Sequence, residues 1–91
     1  LEKIAAQLSN CPLSIVEVEG HTDADGDDLI NLSLSVQRAE TVVSELIELG
    51  VEANRLYALG FGETLPIADN NTRSGKARNR RIVFTVRPPL E

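Results

Sequence analysis

Apolar residues recur along this chain in two rhythms. Leu1, Ile4, Ala5 and Leu8 are spaced by three and four, the stripe of an amphipathic helix already under way at residue 1. Asn10 and Pro12 end it. Over residues 14–20 the spacing becomes two: Ile15, Glu17 and Glu19 alternate with Val16 and Val18, and the β-branched content favours a strand. The polar run from His21 to Asp28 follows as a loop, with Gly26 at its turn. Helical spacing returns over residues 31–49, where Leu34, Ala39, Val42, Val43, Leu46 and Leu49 form the expected buried stripe and Gly50 is the stop. Residues 56–60 read as a second strand and 61–72 as a loop. Residues 74–79 read as a short helix and 82–87 as a third strand that Pro88 and Pro89 terminate. Leu90 and Glu91 read as a tail left by cloning.

At 91 residues the chain is one domain, with just enough length to bury a core. A helix at residue 1 with no strand before it suggests a piece cut from a longer protein. No apolar run approaches the roughly twenty residues that a membrane span needs, so contact with a membrane is expected only through segments outside this chain. No basic-then-apolar leader opens the sequence, which places any export signal outside it too. A single cysteine, Cys11, excludes an internal disulfide and reads as a small apolar residue, with pairing to a cysteine outside this chain as the alternative. Tyr57, Phe61 and Phe84 are the only aromatics, too few for the stacking platforms of a single-stranded nucleic-acid binder.

The net charge of −5 hides a division. Residues 1–72 carry thirteen acids against three bases, whereas residues 73–87 carry six bases and no acid. Most of the surface should repel polyanions, and no nucleic-acid partner is expected. The basic run can answer a local anion or the chain's own acids.

The candidate chemistry is narrow. One histidine and no nucleophile elbow around any serine argue against hydrolytic catalysis, and the bare Gly60-Phe61-Gly62 is no dinucleotide fingerprint. No cofactor is expected. Asp23, Asp25, Asp27 and Asp28 resemble a calcium loop at a glance, but the sixth position is Asp28 instead of glycine and the twelfth is Leu34 instead of glutamate. A solvated acidic turn at a helix N-terminus is the simpler reading, with weak calcium binding as the alternative. Asp23 and Arg38 are more informative. Asp23 lies just past the carboxyl end of a strand, where α/β sheets tend to bind ligands. Arg38 lies seven residues after Asn31, on the same helix face and roughly 10 Å along the axis. Together they suit a zwitterion, the carboxylate taking an ammonium and the guanidinium gripping a carboxylate. From spacing alone, a structural Asp23–Arg38 ion pair in an interaction or oligomerisation module is the plainer alternative.

Asn31, Leu34, Ser35, Arg38, Ala39, Val42 and Leu46 fit, without a gap, the peptidoglycan-association motif N-x2-L-S-x2-R-A-x2-V-x3-L. Val18 to Asp23, Gly60 to Glu63 with Pro66, and Asn71 to Arg81 resemble three further motifs of the same family in the same order. On these residues the chain resembles the OmpA-like family of peptidoglycan-binding domains, over about residues 3–86. The resemblance implies an α+β fold, a two-layer sandwich with a mixed sheet packed against helices, here without the family's first strand. It implies a non-catalytic domain that binds the diaminopimelate of the peptidoglycan stem peptide, in the periplasm, as part of an envelope-anchored protein. Asp23 and Arg38 match the family's two principal contacts, Thr22 and Asn31 match positions that supply further hydrogen bonds, and Arg80 matches one that reaches the site from the last helix. The resemblance thus turns the preference from an ion pair to a binding site. It leaves His21 a structural residue, Leu34 and Ala39 helix packing, and Lys76 a surface replacement for arginine. Without the first strand, the strand over residues 82–86 becomes an exposed sheet edge, which invites pairing with a second copy of the chain.

Overall fold

The computed structural model describes residues 1–10 and 14–88. Cys11, Pro12, Pro89, Leu90 and Glu91, and what the sequence suggested for them, lie outside the described residues. The chain runs α1 (Glu2–Ser9), β1 (Ile15–His21), α2 (Asp28–Glu48), a 3-10 turn (Ala53–Arg55), β2 (Leu56–Gly62), α3 (Arg73–Asn79) and β3 (Arg81–Arg87). The helices and strands follow the expected order. They build the α+β architecture, with a sheet ordered β2-β1-β3. β1 pairs parallel with β2 and antiparallel with β3, so the sheet is mixed. The parallel pair needs a crossover, which α2 supplies. Among the described residues no helix is long and apolar enough to cross a membrane.

Alternation along β1 sets the two faces. Val16 and Val18 are fully buried against Ala5 and Leu8 of α1 and Ala39 and Leu46 of α2, with Val51 and Leu56 closing the core. On the other face Thr85 donates to Glu19 and Arg87 pairs with Glu17, so polar cross-strand pairs occupy it. Arg55 is buried and fastens the start of β1 to α1, its guanidinium donating to the carbonyls of Ser14 and Leu8 at 2.9 Å each.

α2 lies very close to the sheet where the sheet has no side chains. A Cβ on Gly20 would stand 2.1 Å from the backbone oxygen of Ser35, and one on Gly60 would stand 2.4 Å from Val36 Cγ2. Ser35 is therefore buried, and its hydroxyl donates to Leu32 O at 2.7 Å while accepting from Gly62 N at 2.9 Å. This seat rotates the helix from the orientation that its apolar spacing suggests. Asn31 and Ser35 face inward, while Leu34 and Leu49, expected in the buried stripe, stand 36% and 43% exposed. α2 also starts three residues before the expected point, because Asp27 is its N-cap and accepts from Leu29 N and Ile30 N. β2 continues two residues further, through Phe61 and Gly62.

Among the described residues β3 pairs only with β1 and forms one edge of the sheet, as the resemblance implied. Its register places Ile82, Phe84 and Val86 opposite Gly20, Val18 and Val16, hence on the helix-facing side. Ile82 and Phe84 are half-buried and Val86 is 55% exposed.

Candidate ligand-binding site

The site is assembled where β1 ends. Thr22 N donates to Gly62 O at 2.9 Å, prolonging the β1–β2 pairing by one bond before the chain turns. The Thr22 hydroxyl donates to Asp23 O at 2.8 Å, and Asn31 Nδ2 donates to Asp25 O at 2.9 Å and to Asp23 O at 3.4 Å. Thr22 and Asn31, both buried, thus fix the loop backbone at Asp23 and just beyond it, at Asp25. The Asp23 carboxylate is engaged at both oxygens: Oδ1 accepts from Asp25 N at 3.0 Å and Oδ2 from Arg80 at 2.6 Å. The Arg80 bond, followed by the Asp25 N–H, holds the carboxyl below its ordinary value despite partial burial, so Asp23 is a fixed negative charge at neutral pH.

Arg80 reaches Asp23 because of register. Arg81 pairs with His21, so Arg80, the residue that caps α3, comes level with the start of the loop. Asn79, fully buried beside it, receives Ile67 N and Ala68 N on Oδ1, and its Nδ2 donates to Ala68 O and to Asn70 Oδ1. Asn70 Oδ1 in turn accepts Ala24 N at 3.3 Å. One buried amide therefore ties the loop over residues 65–70 to α3 and, through Asn70, to the residue beside Asp23. Lys76, expected as a plain surface replacement, is half-buried and pairs with Asp25 at 3.1 Å.

Thr22, Asp23, Asn31 and Arg80 converge, and Arg38 does not touch them. Arg38 is exposed and lines a groove of about 390 Å³ with Leu34, Gln37, Thr41, Val42 and Ile82, between α2 and the β3 edge. The structural Asp23–Arg38 ion pair weighed from the sequence is therefore corrected: among the described residues the partner of Asp23 is Arg80. The physical reason is that two helical turns carry Arg38 away from the loop, whereas β-sheet register delivers Arg80 to it. Leu34, which the sequence read as helix packing, instead lines this groove.

The acidic loop does not gather its carboxylates. Asp23 faces Arg80, Asp25 faces Lys76, and Asp27 caps α2. Among the described residues no three acidic, histidine or cysteine groups are close enough to hold a metal ion.

His21 has only 2% of its surface exposed, and its ring stacks on Phe61 with centroids 5.4 Å apart. Glu19 lies beside it, with Nε2 3.5 Å from Oε1, and neither ring nitrogen is hydrogen-bonded. Burial, with Arg81 adding to it, pushes its pKa below the ordinary value, and Glu19 opposes the shift. It packs beneath the site as a neutral ring.

What this arrangement offers is a fixed anion beside one paired cation, with a second cation, Arg38, on the groove between α2 and the β3 edge. Residues 1–80 match the model of the OmpA family. The chain is 44% identical over 88 residues to a probable lipoprotein, YiaD, of Escherichia coli, a match covering 97% of this chain and 40% of that protein. It is 40% identical over 86 residues to the peptidoglycan-binding protein ArfA of Mycobacterium bovis, covering 94% of this chain and 26% of the relative. The crystal structure of the peptidoglycan-associated lipoprotein from Burkholderia pseudomallei superposes with a TM-score of 0.90 at 30% identity, over 94% of this chain and 73% of that one. The chain thus spans less than half the length of YiaD and about a quarter of that of ArfA.

Proposed function

The chain belongs to the OmpA family, and on that premise we propose that it is a non-catalytic module that grips peptidoglycan and ties an envelope-anchored protein to the cell wall from the periplasmic side. The ligand it holds is the free end of diaminopimelate in the stem peptide, which carries an ammonium and a carboxylate on one carbon. The observation that carries this reading is the Asp23 carboxylate, ionised and fixed at the end of β1, with Arg80 against it; Arg38 stands exposed two helical turns further along α2, on the groove beside the β3 edge. The ammonium goes to Asp23 and the carboxylate to the guanidinium groups. Thr22 and Asn31 serve by holding the loop in place.

Each charge-assisted bond contributes about 1.5–3 kcal/mol. Affinity per site is therefore modest, and many copies on one continuous polymer raise it through effective concentration. The reading includes self-association through the free β3 edge. Beside it lies a mainly apolar groove of about 380 Å³ lined by Ile4, Gln7, Leu8, Val16, Phe84 and Val86 that an added strand would cover.

Co-sedimentation with purified peptidoglycan sacculi tests the proposal. The wild-type chain should pellet with the sacculi, and an Asp23→Ala, Arg38→Ala variant that melts cooperatively should stay in solution. A folded variant that pellets as the wild type does would overturn it.

A further inference from the structure

Both oxygens of the Asp23 carboxylate are already engaged, Oδ1 by Asp25 N and Oδ2 by Arg80. A cation from outside therefore enters in competition with a cation of the protein itself. Resting on the reading that Asp23 takes the ligand's ammonium, we infer that Arg80 sets the site's specificity: it is a displaceable counter-ion that admits an α-amino-acid head and excludes a simple amine.

The two partners differ in the way this exchange requires. The Asp23 side chain is 10% exposed and pinned by its own loop, whereas that of Arg80 is 45% exposed. Arg80 also sits at the junction of α3 and β3 with an extended backbone, so its side chain can swing without disturbing either element. An amine that takes Asp23 Oδ2 breaks a short charge-assisted bond and leaves the guanidinium with only water in return. A head group bearing ammonium and carboxylate on one carbon inserts between the two. Its ammonium replaces Arg80 on Asp23 and its carboxylate receives Arg80, so one ion pair becomes two. Discrimination arises from the partner left unsatisfied in the wrong complex.

The test compares meso-diaminopimelate with 1,5-diaminopentane, the same chain and ammonium spacing without the carboxylates, by titration calorimetry. The wild-type chain should bind diaminopimelate at least tenfold more tightly than the diamine. In Arg80→Gln the two ligands should respond in opposite directions: the diamine at least threefold tighter, diaminopimelate several-fold weaker, and the ratio about tenfold smaller, with what remains coming from Arg38. General damage to the fold weakens both and does not produce this crossing. Arg80→Lys, which keeps the charge, should keep most of the discrimination. In the ligand-free Arg80→Gln chain the Asp23 carboxyl, followed by carbon NMR, should titrate at higher pH than in the wild type. A wild-type chain that binds diaminopimelate, with a ratio unchanged in Arg80→Gln, overturns the inference and leaves the proposed function standing. Discrimination lost equally in Arg80→Lys overturns it too. A wild-type chain that binds no diaminopimelate overturns both.

Discussion

Replacing Asn79 by alanine should destabilise this domain more than any change to its exposed charges. The side chain has no exposed surface and makes four hydrogen bonds, with Ile67 N at 2.8 Å, Ala68 N at 3.0 Å, Ala68 O at 3.0 Å and Asn70 Oδ1 at 2.7 Å. A hydrogen bond of this kind has a net value of about 1 kcal/mol, and a partner left buried and unpaired costs about 1–3 kcal/mol. Water can reach part of the loop after truncation, since Ile67 is 55% exposed. The sum is a loss of about 2–4 kcal/mol, or a fall in Tm of roughly 10–25 °C for a domain of this size. Urea unfolding followed by circular dichroism should show a lower midpoint at an unchanged slope. Asn79→Asp separates the donors from the acceptor. It keeps the oxygen that receives Ile67 N and Ala68 N but turns both donations into contacts between oxygens. Burial and these contacts raise the pKa of the new carboxyl, so its deficit should shrink as pH falls and the carboxyl protonates. A loss below about 0.5 kcal/mol in Asn79→Ala would refute the claim that this amide is the hub of the loop.

Two further outcomes follow from the same structure. The pKa of His21 is depressed, so the unfolded chain takes up its proton first, and stability should fall as pH drops below about 6.5, by at most about 1.4 kcal/mol per pH unit. Asp23, also depressed, adds stability that is lost only at lower pH, below the ordinary aspartate range. His21→Phe should therefore flatten urea midpoints between pH 5 and 6.5 (roughly the upper window set by free histidine), and an unchanged slope there would contradict the assignment. Light scattering should show a mass that rises with concentration, from pairing at the β3 edge. A concentration-independent monomer mass would count against that pairing.

The element order was legible because periods of three to four and of two are written in residue identity. Ile82, Phe84 and Val86 announce their strand as plainly as Val16 and Val18 do. The seat of α2 was not legible, because it depends on what is missing: Gly20 and Gly60 admit Ser35, and burial then falls on Asn31 and Ser35 while Leu34 faces a groove. The early start of α2 was hidden because Leu29 and Ile30, 72% and 66% exposed, break the expected stripe, yet Asp27 in front of them is a capping residue. Within the site, a spacing of seven along one helix suggested Arg38 as the neighbour of Asp23. The neighbour found, Arg80, is 57 residues away and arrives only through the antiparallel register of β1 with β3. Asn79 left no hydropathy signal, since a polar residue at the end of a helix usually faces water. Its position next to Arg80 was the one available clue.

The most direct test of the central claim is calorimetric titration of meso-diaminopimelate into this chain and into a folded Asp23→Ala, Arg38→Ala variant. The account predicts saturable binding at one site per chain, lost in the variant while its thermal unfolding stays cooperative. A folded wild-type chain that takes up no diaminopimelate, or a variant that binds it as tightly, would contradict it.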